Sequence, residues 1–145
     1  MKTLFLDFDG VLHNESAADN LWEAGSILAD SDCFAFVDHL ATLLDGHSVD
    51  VVVHSGWRLG GQFTHDELRA FLRKLGSRFQ GITLGEQRYD SILRYIADHG
   101  VTDYRILDDA DFLFPPDLPE LIVCHPTTGM SDPAVQERLC EWLAS

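Results

Sequence analysis

Apolar and polar residues follow one another along this chain in short blocks, and the blocks predict strands and helices in turn. Leu4-Phe5-Leu6, within Thr3–Asp7, is an apolar run of the length of a buried strand. In Asp32–Leu44, Phe36, Val37, Leu40, Leu43 and Leu44 recur at helical spacing, and the pattern ends before Gly46. Val49–Ser55, centred on Val51-Val52-Val53, is a β-branched run of the kind expected in a strand covered on both faces. Thr64-His65-Asp66-Glu67 has the form of a capping box, opening a helix that buries Leu68, Phe71, Leu72 and Leu75 and stops at Gly76. Ile82–Leu84 reads as a short strand. Asp90–His99 reads as a helix with Ile92, Leu93 and Ile96 inward, closed by Gly100. Tyr104–Asp108 and Leu121–Cys124 add two strands. Asp132 then caps, and Pro133 opens, a last helix that buries Val135, Leu139 and Trp142.

About five strands with helices between them imply βαβ units and a parallel sheet. Right-handed crossovers place helices on both faces, so the expected architecture is a doubly wound α/β fold. No repeat, low-complexity tract or linker interrupts it, and 145 residues suffice for one domain, 1–145, with a core of its own. The polar segment His13–Ser31, with Trp22 and Ile27, fits a flap, a short helix or a lid.

Composition narrows the function classes. No apolar stretch approaches the roughly 20 residues of a membrane span, and no secretory signal opens the chain. Cys33, Cys124 and Cys140 are odd in number and form no CxxC pair. They read as three buried thiols in a reducing, cytoplasmic setting, not as a disulfide framework or zinc site. The net charge of −14 repels nucleic-acid phosphate at long range. Phosphate recognition must therefore be local, and nucleic acid enters only as a substrate.

Candidate chemistry gathers at strand ends. Asp7 closes the first strand, and Gly10 permits a sharp turn that brings Asp9 back towards it. Two such carboxylates repel each other unless a cation or shared proton intervenes, and a hard divalent ion such as Mg2+ suits the oxygen-rich site. Asp108-Asp109 ends another strand. His54-Ser55-Gly56-Trp57-Arg58 ends a third, where Ser55 and backbone N–H groups can meet an anion. Open α/β sheets place ligands at these ends.

Four motifs then occur in one order. Asp7-Phe8-Asp9-Gly10-Val11-Leu12 resembles the first motif of the haloacid dehalogenase-like (HAD) superfamily, the DxDG(T/V) signature of its phosphatases. Ser55 after Val51-Val52-Val53 is similar to the second, Arg88 opening a helix to the third, and Asp108-Asp109 after Ile106-Leu107 to the fourth. Together with Leu6–His13 and Ile106-Leu107-Asp108-Asp109, Ser55-Gly56-Trp57-Arg58 and Arg88 with Ile92 further resemble the HAD domains associated with Swiss Army knife RNA-repair proteins, and Thr128-Gly129-Met130 before the last helix resembles their Thr-x-Gly-Leu ending.

The resemblance implies a Rossmann-like HAD fold and a Mg2+-dependent phosphohydrolase acting on phosphate monoesters. Asp7 would be the nucleophile, forming an aspartyl-phosphate, and Asp9 the general acid and base. Mg2+ would be held by Asp7, the Asp9 carbonyl and Asp109, with Asp108 adjacent, while Ser55, Gly56 and Arg88 bind the phosphate. The family's third motif is usually lysine, and Lys74 is the rival to Arg88 on a basic helix face. His13, Trp57 and Arg58 are candidates for a substrate rim, the indole for stacking and Arg58 for a second phosphate. His54 reads as a core histidine and Asp111 as a turn residue.

Asp7 to Ser55 is about 48 residues and Ser55 to Arg88 about 33, which leaves no room beside the core elements for an independently folded cap. An open site suits a protruding phosphate. Two alternatives stand beside the phosphatase: a nucleic-acid end-processing phosphatase acting with a partner, and a non-catalytic metal- or phosphate-binding module.

Overall fold

The computed structural model describes residues 1–17 and 33–145, so most of the expected flap or lid lies outside the described residues. Five parallel strands form one sheet in the order β3-β2-β1-β4-β5: β1 Lys2–Leu6, β2 Val49–Val53, β3 Phe79–Ile82, β4 Asp103–Asp108 and β5 Leu121–Val123. The helices are α1 Val37–Leu44, α2 His65–Phe71, α3 Arg88–His99 and α4 Pro133–Ala144.

Alternation along β1 divides the core in two. Leu4 and Leu6 join a large cluster with Val37 and Leu40 of α1, Leu68 and Phe71 of α2, and Val135 and Leu139 of α4. Phe5 points the other way, into a smaller cluster with Val52, Ile106 and Ile92 of α3. This period of two puts helices on both faces, as expected of a doubly wound sheet. Chain order reverses at β1: β2 and β3 lie to one side, β4 and β5 to the other. That reversal opens a crevice at the carboxyl ends of β1 and β4. Among the described residues there is no cap domain, and no helix is long and apolar enough to cross a membrane.

Several boundaries move for identifiable reasons. Phe34 has φ +60, its N–H donates to His13 Nδ1, and the Phe36 N–H donates to the Leu12 carbonyl. These bonds draw the chain onto the first loop, so α1 starts at Val37, not at Asp32. Arg73, with φ +51, ends α2 early, and Leu72 and Leu75 are buried through the 3-10 turn that follows. The third strand lies at Phe79–Ile82 instead of Ile82–Leu84. Gly81 weakens the strand signal there, and the register slips between Val51 and Val52. Leu93 is 41% exposed, because Ser91 and Ile92 take the inward positions of α3. Cys33 and Cys124 are buried but Cys140, on the outer side of α4, is exposed.

Candidate active site

The strand ladder extends one residue beyond β1. The Asp7 N–H donates to the Leu107 carbonyl and the His54 N–H to the Leu6 carbonyl, both at 3.1 Å. Asp7 is thereby set between the end of β2, with His54 and Ser55, and the end of β4, with Asp108 and Asp109.

Asp7 is 1% exposed and neither of its oxygens has an aligned hydrogen-bond donor among the described residues. Arg88 Nη1 stands 3.1 Å from Oδ2 as an ion pair. Burial, reinforced by Asp108 and Asp109 and opposed by Arg88, pushes the Asp7 carboxyl well above the usual carboxylate range. Asp108 differs. Its oxygens accept from His54 Nε2 (2.8 Å), Arg88 Nη1 (2.8 and 3.1 Å) and the Ala110 N–H (2.9 Å). Burial would raise its pKa, but His54 and Arg88 outweigh burial and hold it below the usual range. Burial lowers His54 despite Asp108, so the imidazole serves as a neutral donor. Arg88 is held charged by Asp7 and Asp108, which outweigh its own burial.

Asp109 completes the cluster. One carboxylate oxygen each from Asp7, Asp108 and Asp109 lie within 4.8 Å of one another. Burial and Asp108 raise its pKa as well. Gly10, at φ +75, makes this approach feasible: a Cβ there would overlap the Asp109 side chain. Three carboxylates facing one guanidinium, with the buried oxygens of Asp7 short of aligned hydrogen-bond donors, fit a hard divalent cation. Asp108 is already saturated by donors, which leaves Asp7 and Asp109 as the side chains best placed to hold it. The Asp9 carboxylate lies outside that cluster.

Asp9 is held from behind. His13 Nε2 lies 2.7 Å from Oδ1, and Trp57 Nε1 donates to Oδ2 at 3.0 Å. This corrects the expectation of a rim. His13 is fully buried, with Nδ1 accepting from the Phe34 N–H at 3.1 Å. Trp57 packs among Phe8, Phe34, Phe63 and Phe71 and is only partly exposed. Arg58 is not at a rim either. It is 6% exposed and donates to the carbonyls of Thr83 (3.0 Å), Ser55 (2.9 Å) and Gly85. Those bonds tie the loop after β2 to the loop after β3, next to Ser91, whose hydroxyl donates to the Arg88 carbonyl at 2.7 Å. Arg58 thus braces the start of α3, where Arg88 sits.

Ser55 caps the turn after β2. Its Oγ accepts from the Trp57 N–H at 3.2 Å, and the residue is buried at the crevice floor. Gly56 is exposed, and a methyl there would meet nothing within 4 Å. Lys74 is remote: its side chain is 75% exposed and pairs with Asp38 at 3.8 Å. Asp111 is exposed in the turn Asp111–Leu113. The His54–Asp108 pair went unread in the sequence because β2 and β4 are separated by β1, and only the register reveals that both residues flank Asp7. Gly129 finds its reason in the first loop. A Cβ at that position would overlap the Val11 carbonyl, which accepts from the Met130 N–H at 2.8 Å.

No curated protein and no solved structure matches the chain. The family model described as the HAD domain in Swiss Army Knife RNA repair proteins matches residues 3–135, a span that holds every residue of the crevice described above. With its sheet order, its motifs at three strand ends and at the start of α3, and this match, the chain belongs to that HAD family.

Proposed function

We propose that this chain is a Mg2+-dependent phosphohydrolase that cleaves phosphate monoesters through an aspartyl-phosphate on Asp7. One observation carries the reading: a buried carboxylate at the end of the central strand whose oxygens lack an aligned hydrogen-bond donor among the described residues, flanked by Arg88 and Asp109. Asp7 and Asp109, with the main chain of Asp9, would hold the ion. When bound, it offsets negative charge on the acids and on the phosphoryl oxygens.

An Asp7 oxygen attacks phosphorus, and the ester oxygen leaves with a proton from Asp9. Water then attacks the phosphorus of the acyl-phosphate, giving its proton back to Asp9 and releasing phosphate and the Asp7 carboxylate. Arg88 and the Ser55 hydroxyl stabilise the phosphoryl oxygens. Asp108, fixed by His54 and the Ala110 N–H, keeps Arg88 in place and does not itself meet substrate.

The family's description supports a second reading, in which the monoester is the end of a nucleic acid and a partner presents it. The lack of a cap domain among the described residues suits that substrate, whereas the charge of −14 opposes it, so a partner would have to supply the cations. The test is hydrolysis of 4-nitrophenyl phosphate and of 3′- and 5′-phosphorylated oligonucleotides, with Mg2+ and with EDTA. Mg2+-dependent release of phosphate supports the reading. Binding of Mg2+ with no turnover of any ester would make the protein a binding module instead.

A further inference from the structure

We propose that His13 and Trp57 are positioning residues that clamp the Asp9 carboxylate in the orientation needed to protonate the leaving group. The inference rests on the assignment of Asp9 as acid and base. Each Asp9 oxygen faces one ring N–H, His13 Nε2 at 2.7 Å and Trp57 Nε1 at 3.0 Å. The tautomer of His13 follows from its other nitrogen. Nδ1 accepts the Phe34 N–H at 3.1 Å, so the neutral ring carries its proton on Nε2, towards Asp9.

Both donors are held rigidly. His13 is fully buried, its ring set edge-on to Phe34 at 5.0 Å and tilted against Trp57 at 5.7 Å. The indole stacks on Phe63 at 5.4 Å and meets Phe8, Phe34 and Phe71 edge-on. The loop folds to the same end. The Gly10 N–H donates to the His13 carbonyl at 2.9 Å, closing Asp9–His13 into a tight turn that presents the histidine to a side chain four residues earlier. The Asp9 side chain remains 43% exposed, so its free face looks outward while its back is anchored in the aromatic cluster. The core itself sets the orientation of this side chain.

Buried ring N–H groups need acceptors, and a purely structural clamp would satisfy them equally well. Leaving-group dependence separates the two roles, since a proton donor matters most for a poor leaving group. The experiment measures kcat/KM of the full chain at saturating Mg2+ for 4-nitrophenyl phosphate and phenyl phosphate. Trp57→Phe keeps the ring and removes the N–H; His13→Gln keeps a donor near Nε2; His13→Ala removes it. Melting with and without Mg2+ identifies variants that remain folded and bind the ion.

Trp57→Phe is expected to lose about tenfold on phenyl phosphate and much less on 4-nitrophenyl phosphate, with His13→Gln closer to wild type than His13→Ala. Should His13→Ala fail to fold, Trp57→Phe decides alone. Equal losses on both esters, or none, would overturn the clamp. Asp9→Asn separates the two failures. If it loses more on phenyl phosphate than on 4-nitrophenyl phosphate but Trp57→Phe does not, only the clamp is wrong. If Asp9→Asn shows no such bias, the acid assignment falls and the clamp with it.

Discussion

Gly10 is where the cation site is most exposed to a single methyl group, and Gly10→Ala separates backbone strain from loss of the site. Two costs are expected. An alanine forced to φ +75 loses about 1–2 kcal/mol, the ordinary penalty of the left-handed region for a residue with a Cβ. The second cost is steric. The new methyl would lie 2.6 Å from the Asp109 carboxyl carbon and 2.9 Å from its Cβ. Rotation of the side chain cannot relieve a clash with its own Cβ, so the loop after β4 must move and Asp109 leaves the cluster. Gly46→Ala supplies the control. Gly46 has φ +80, but nothing lies within 4 Å of its would-be Cβ, and it sits between α1 and β2 at the other end of the sheet. Both variants should therefore lose about 1–2 kcal/mol of backbone energy, roughly 2–8 °C in melting temperature for a chain of this size, and Gly10→Ala should lose more through its clash. They should differ with Mg2+. At a hundredfold excess over Kd, an ion bound only to the native state adds about 2.7 kcal/mol, roughly 5–10 °C. Wild type and Gly46→Ala should show that rise, and Gly10→Ala should show little of it and little turnover. Thermal melts across a Mg2+ titration read both quantities. A full Mg2+ response in Gly10→Ala, or its loss in Gly46→Ala, would mean that the ion does not bind beside Gly10 and Asp109.

Asp7→Asn should abolish turnover and, without metal, stabilise the fold above the Asp7 titration. Because the folded-state pKa of Asp7 is raised, the native state binds that proton more tightly than the unfolded chain does. Wild type in EDTA should therefore gain stability as pH falls through the folded value towards the ordinary carboxylate value, and urea melts of Asp7→Asn should show a flatter slope there. An unchanged slope would remove Asp7 as its source. Arg88→Ala should lose on the order of 3 kcal/mol in kcat/KM, about a hundredfold, whereas Lys74→Ala should be unaffected. The reverse ranking would misplace the phosphate-binding cation. Arg58→Met should cost roughly 2–4 kcal/mol of stability by urea denaturation, since it strips charged donors from buried carbonyls. A stable Arg58→Met variant with a raised KM would return Arg58 to the substrate rim.

The signals legible along the chain are local. Uninterrupted apolar runs specify buried strands, Thr64 and Asp132 announce helix starts, and both caps form as read. Asp7, Ser55, Arg88 and Asp108-Asp109 were legible because each closes a strand or opens a helix, and the strand order brings their ends together. Gly81 and Arg73 hid the true ends of β3 and α2, since a glycine in a strand and a positive φ on arginine run against local preference. The direction in which polar side chains point depends on packing in three dimensions. His13, Trp57 and Arg58 follow strand ends as rim residues would, yet burial obliges their N–H groups to find acceptors. They find them in Asp9 and in the loop carbonyls. His54 meets Asp108 across the intervening β1 for the same reason, through a register that no spacing along the chain records. Hydrophobic periodicity is a property of neighbours in sequence; the pairing of buried donors and acceptors belongs to neighbours in space.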